Sequence, residues 1–84
     1  MVLNMTTKEF SRLDTRGLKK VLGEYLGHKV NEIVWGGMTN DKWGMYRVRH
    51  DSCAYSKIKV DPTDSGLTEL TIYNYSTKEW QPEP

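Results

Sequence analysis

Apolar positions recur every three to four residues over the first third of the chain and every second residue after it, which predicts helices followed by strands. Thr6-Thr7-Lys8-Glu9 opens the first helical signal. The Thr6 hydroxyl can accept from the backbone N–H three residues on while the Glu9 side chain reaches back, the capping-box arrangement. Phe10 and Leu13 give the short turn that follows one apolar edge. Asp14 is a fresh N-cap, and behind it Leu18, Val21, Leu22, Tyr25 and Leu26 line one face of a second helical stretch. Gly27 stops that stretch as a residue able to take positive φ. Gly23 lies inside it, at a cost of about 1 kcal/mol relative to alanine, and leaves room for another element to approach.

Beyond His28 the period changes toward 2. Lys29–Trp35 reads as a strand ended by Gly36-Gly37, and Thr39-Asn40-Asp41-Lys42 as a turn. Trp43–His50 and Ala54–Val60 read as two strands around a tight hairpin at Asp51-Ser52. Asp61-Pro62-Thr63-Asp64-Ser65-Gly66 is a loop, and Thr68–Tyr75 is the last strand, dense in Thr, Ile and Tyr. The expected fold is α+β with two layers: an N-terminal helix, or two short helices, packed on one face of a four-stranded antiparallel meander sheet. Residues 1–77 form that domain, and residues 78–84, with two prolines, are expected to be a partly flexible tail.

Alternation sorts the faces. A two-residue hairpin loop at Asp51-Ser52 would set Met45 opposite Ile58, Trp43 opposite Val60, Val48 opposite Tyr55 and Tyr46 opposite Lys57, and partners across a ladder share a face. One face then holds Trp43, Met45, Ile58 and Val60, joined by Leu70 and Ile72, as the seat for the helix stripe. The other collects Tyr46, Val48, Tyr55, Lys57, Lys59, Tyr73 and Tyr75. Arg47 and Arg49 fall on the core side, where their heads would have to project past the edge of the helical layer. A slip of one residue in the hairpin would exchange the faces of one strand.

Composition bounds the possibilities. At 84 residues the chain fits one domain. Leu, Ile, Val and Phe number only 17, but nine aromatics and a net charge of +1 argue against disorder. Internal repeats, a coiled coil and a two-domain enzyme are excluded by size. No apolar run approaches the roughly 18 residues of a spanning helix, so no membrane is expected as a partner. The charge is unevenly spread: residues 42–60 carry five cations and one acid, a local +4, while residues 61–84 carry one lysine and five acids, a local −4. Cys53 is the sole cysteine, which excludes an intrachain disulfide. The first ten residues lack the apolar core and basic start of a secretory leader, so a cytoplasmic setting is expected.

Candidate chemistry is sparse. His50-Asp51-Ser52-Cys53 groups a thiol with a possible base, yet nothing is identifiable as orienter of the histidine or as an oxyanion hole, so an ordinary turn is the better reading. His28, His50 and Cys53 lack metal-ligand spacing, and Gly36-Gly37 lacks the residues of a phosphate loop; no metal or cofactor is expected. Gly44-Met45-Tyr46-Arg47-Val48-Arg49 faintly resembles a strand of the small RelE-type mRNA interferase toxins. Those enzymes also place helices before an antiparallel sheet and cut RNA with basic and tyrosine residues. The resemblance covers six residues, and the basic set of their final strand is replaced here by Tyr73-Asn74-Tyr75. Arg16, Lys19 and Lys20 form a solvated helix face, and Trp80 is expected to tuck back onto the sheet.

The reading is therefore a small binding protein without enzymatic activity, accessory or inhibitory, docking on a larger protein through a tyrosine-rich sheet face or a sheet edge. Its expected contact residues are Tyr46, Tyr55, Lys57, Lys59, Tyr73, Tyr75, Arg47, Arg49 and Trp80. RNA or single-stranded nucleic acid on the same face is the alternative. A small RelE-like ribonuclease using Arg47, Arg49, Lys57 and Tyr73 is a further one, and a second copy of the chain is a possible occupant of the face.

Overall fold

The computed structural model describes the backbone of residues 1–38, 44–50 and 55–84, and the side chains of these except at 35–38, 45 and 50. Along the chain run β1 (Val2–Thr6), α1 (Thr7–Ser11), α2 (Thr15–Leu26), β2 (Val30–Met38), β3 (Gly44–His50), β4 (Tyr55–Pro62), β5 (Leu67–Asn74) and β6 (Glu79–Gln81). The α+β class stands, with two helices and an antiparallel sheet. Its expected four strands, β2 to β5, form the meander, and two further strands join them. Both β1 and β6 pair antiparallel with the outer edge of β5.

The helix ends form as their sequences dictate. Thr6 Oγ1 accepts from Glu9 N at 3.1 Å while Glu9 Oε1 accepts from Thr6 N at 2.9 Å, a complete capping box. These bonds hold the Glu9 carboxyl below its ordinary pKa. Asp14 Oδ1 accepts from Gly17 N at 2.8 Å. Gly27 closes α2 at φ 73°, in the left-handed region, with its N–H donating to Gly23 O. A Cβ on Gly23 would lie 3.0 Å from His28 O, so glycine there lets the chain turn back against the helix.

The helices cover one face of the sheet. Leu22, Tyr25 and Leu26 of α2 and Phe10 of α1 are buried with Leu3, Val30, Val48, Ile58, Val60 and Leu70, and Leu18 and Val21 pack against them at partial exposure. Val30 reaches this core because β2 shifts register between Val30 and Glu32, an irregularity that turns it to the side shared by Ile33.

The β3–β4 register differs from the expected one by a single residue. Tyr46 pairs with Ile58, Arg47 with Lys57, Val48 with Ser56, Arg49 with Tyr55, and Met45 with Lys59. The β3 faces are therefore exchanged: Val48 is fully buried and Tyr46 packs against the core, while Arg47 and Arg49 stand on the side away from the helices. The expected register would have taken two guanidinium groups toward the helices, at a heavy cost in desolvation. The observed one buries a valine and part of a phenol instead.

Boundaries moved as well. Gly36-Gly37 does not end β2, which continues to Met38. The strand expected over Thr68–Tyr75 starts at Leu67 and ends at Asn74. Trp43, the turn at Thr39–Lys42, the hairpin at Asp51-Ser52, Cys53 and Ala54 lie outside the described residues, as do the side chains of Met45 and His50.

Candidate functional site

With both helices on one side, alternation along β2 to β6 leaves the other side without a helix among the described residues. One row crosses it in register: Val34 of β2 pairs with Arg47 of β3, and Arg47 with Lys57 of β4. Lys57 Nζ then lies 5.5 Å from the Tyr73 ring centre, and Tyr73 of β5 pairs with Trp80 of β6. A neighbouring row runs Glu32, Arg49, Tyr55. Toward the other end Lys59 pairs with Thr71, and Asp61 with Glu69.

Eight of the nine residues expected to make contacts thus share this face: Arg47, Arg49, Tyr55, Lys57, Lys59, Tyr73, Tyr75 and Trp80. Tyr46 does not. Its ring meets Phe10 edge to face at 6.2 Å on the helix side, and burial pushes its phenol pKa up. The same slip in register that removed Tyr46 delivered the two arginines.

The aromatic groups form a cluster. Tyr73 sits edge to face with Tyr75 at 5.0 Å and with Trp80 at 5.2 Å. Lys57 Nζ lies 5.9 Å from the Tyr75 ring centre, and Lys59 Nζ 5.3 Å from that of Trp80, so the lysine heads sit over the rings. Tyr55 and Tyr75 remain about half exposed, at 51% and 56%. Two carboxylates that sequence reasoning did not include complete the face: Glu32 pairs with Arg49 at 3.1 Å and Asp61 with Lys59 at 3.6 Å.

Trp80 is brought there by the local chemistry of the preceding turn. Asn74 Oδ1 accepts from the N–H groups of Ser76 and Thr77 at 2.8 and 3.1 Å, and Lys78, at φ 60°, donates its N–H to Asn74 O. The side chain of Asn74 thus stands in for a backbone turn and folds 79–81 back onto β5. An Asn followed by polar residues and then a tryptophan was the signal available for β6.

On the opposite side of β5, α2 reaches the place where β1 and β6 meet end to end. Tyr25 Oη donates to Pro82 O at 2.9 Å and lies 3.4 Å from Leu70 O. The Met1 ammonium donates to the same two carbonyls, at 2.7 Å to Leu70 O and 2.8 Å to Pro82 O. Burial, with Glu83 and Glu69 nearby, pushes the Tyr25 phenol up to about 12.

Among the described residues no group of three or more His, Cys, Asp or Glu is placed to hold a metal ion, and no helix is long and apolar enough to cross a membrane. The His50–Cys53 cluster lies outside the described residues apart from the His50 backbone. Comparison with protein-family models, with curated proteins and with solved structures finds no match for this chain.

Proposed function

We propose that this chain is a non-enzymatic binding protein that docks on a larger protein partner through the open face of its sheet, in an accessory or inhibitory role. The observation that carries the reading is the cluster of Tyr55, Tyr73, Tyr75 and Trp80 on the side without helices, with Tyr55 and Tyr75 exposed, set among Arg47, Arg49, Lys57 and Lys59. Tyr, Trp and Arg are the residue types that dominate binding energy at protein interfaces, because they bring large area at small entropic cost together with hydrogen-bonding tips. Two of the four cations are already matched by Glu32 and Asp61 within the face, which suits a mixed protein surface better than a chain of phosphates. The outer edge of β2, at the end of the strand order, is a second place where a partner could add a strand.

The test is capture of partners from the native host with and without nuclease, followed by affinity measurement for the protein captured. The double variant Tyr55→Ala, Tyr75→Ala should weaken that affinity at least tenfold, about 1.4 kcal/mol, while the protein stays folded, since both rings are half exposed and Tyr75 gives up only its contacts with Tyr73 and Lys57. Unchanged affinity overturns the reading.

Nucleic acid is the second reading, favoured by Arg47 and Arg49 standing beside the tyrosines. Base stacking on such rings contributes about 1–3 kcal/mol per base. The lysines over Tyr73, Tyr75 and Trp80 weigh against it, since they occupy ring faces that bases would need. A complex that is lost steeply as salt rises, and is abolished by nuclease, would favour it over a protein partner. The ribonuclease alternative draws on Arg47, Arg49, Lys57 and Tyr73, which share this face; intact messages and normal growth on overexpression would remove it.

A further inference from the structure

The four cations of the open face divide into two kinds. Arg49 and Lys59 each hold a carboxylate, Glu32 and Asp61. Arg47 and Lys57 are direct cross-strand partners of each other, and among the described residues neither belongs to an ion pair. Arg47 is exposed, and Lys57 leans over the rings of Tyr73 and Tyr75. Among the described residues no free carboxylate lies beside them: Val34 stands opposite Arg47 on β2, and Lys57 has only the rings of Tyr73 and Tyr75 on its β5 side. The carboxylate diagonal to Arg47, Glu32, is held by Arg49.

Like charges directly opposite each other, with Cβ atoms about 4.5–5.5 Å apart, destabilise a ladder. A like pair of this kind, on the face without helices, is one that any neutral residue at either position would avoid. We infer that the Arg47–Lys57 pair is an anion seat, filled by a carboxylate from an acidic segment of the partner protein. That carboxylate bridges the guanidinium and the ammonium, while the partner's apolar atoms lie on Tyr55 and Tyr75. This rests on the open face being the docking surface and adds the chemistry that it selects. A discrete carboxylate fits better than a phosphate chain: one unmatched cation pair makes one site, and a track of phosphates needs several released cations along its length.

The pair can be tested on the isolated protein by backbone amide shifts and affinities at low salt, against three probes. These are a capped peptide alternating glutamate with leucine, the same peptide with glutamine in place of glutamate, and a single-stranded uridine oligonucleotide. The glutamate peptide should bind about tenfold tighter than its glutamine analogue, with shifts centred on residues 47 and 57. Arg47→Glu should abolish that preference and at the same time raise the melting temperature, because the like pair becomes an opposite pair. Lys20→Gln on the helix side should leave the preference intact. Equal binding of the two peptides on the open face would overturn the anion seat while leaving the docking surface standing. No shift on that face with either peptide would count against both. Tighter binding of the oligonucleotide at the same residues would replace the carboxylate by phosphate, and a lower melting temperature in Arg47→Glu would show that the pair carries no repulsion to relieve.

Discussion

Tyr25 ties the helical layer to the far edge of the sheet, and its titration exposes how much that tie contributes. The residue is 5% exposed, and its hydroxyl donates to Pro82 O at 2.9 Å. In the unfolded chain the phenol ionises near 10; in the folded protein it is pushed up to about 12 by burial, Glu83 and Glu69. Between these values the unfolded chain has released a proton that the folded protein still holds, so unfolding becomes easier as pH rises. The slope is about 1.4 kcal/mol per pH unit, which sums to roughly 2–3 kcal/mol by the time the folded phenol titrates. The stabilisation is fully present below the unfolded pKa and is lost as pH rises through the folded one. Tyr25→Phe removes this dependence. At neutral pH it costs only the hydrogen bond, about 0.5–1.5 kcal/mol, because the Met1 ammonium continues to donate to both carbonyls and leaves neither unpaired. The native protein should therefore be the more stable of the two at neutral pH, equal to the variant at about pH 11 and less stable above it. Urea unfolding followed by circular dichroism across this range gives both curves. Tyr46→Phe serves as the control for the other phenol raised by burial. Parallel curves for the native protein and Tyr25→Phe would refute the placement of this hydroxyl in a buried, proton-retaining site.

Three further outcomes follow from single positions. Thr68 is 0% exposed and its hydroxyl has no partner among the described residues, so Thr68→Val should raise the unfolding free energy by about 1 kcal/mol in urea titration. Asp14→Ala removes the acceptor for Gly17 N and should cost about 1 kcal/mol, measurable as a lower thermal midpoint, whereas Asp14→Asn should keep most of the native value. Gly27→Ala meets nothing within 4 Å, so its cost of about 1–2 kcal/mol is the price of the left-handed backbone alone; a variant as stable as the native chain would show that α2 ends differently.

Local chemistry was legible in the sequence and long-range pairing was not. Thr6 with Glu9, Asp14 and Gly27 act within a few residues of themselves, and the structure has each cap where its residue type implies. The stripe from Leu18 to Leu26 likewise faces the core, because a helix fixes which residues share a side. The β3–β4 hairpin is different: Gly44-Met45-Tyr46-Arg47-Val48-Arg49 offers an apolar residue on either parity, so alternation could not choose between Met45 and Tyr46 as the inward set. The arginines held the answer, since the expected register turned both toward the helices and the observed one turns both away. β1 escaped notice because Val2–Thr6 runs straight into a helix cap with no turn between them. β6 escaped because three residues among prolines and acids carry too short an alternation to read. Of the candidate site, the residue types were legible and eight of nine positions share the face; the acids that match Arg49 and Lys59 depend on cross-strand neighbours that only the pairing supplies.

The edge of β5 shared by β1 and β6 has a consequence for how the fold assembles. Its two halves come from opposite ends of the sequence, and Met1 and Pro82, 81 positions apart, meet on it. The β4–β5 hairpin needs only a short loop and can form early, while this edge waits for the costliest closure in the chain. Until it closes, β5 presents unpaired amides and carbonyls, and Trp80 is absent from the cluster with Tyr73. Nascent or end-trimmed chains would therefore share one vulnerability, a central strand open to pairing with a neighbouring molecule.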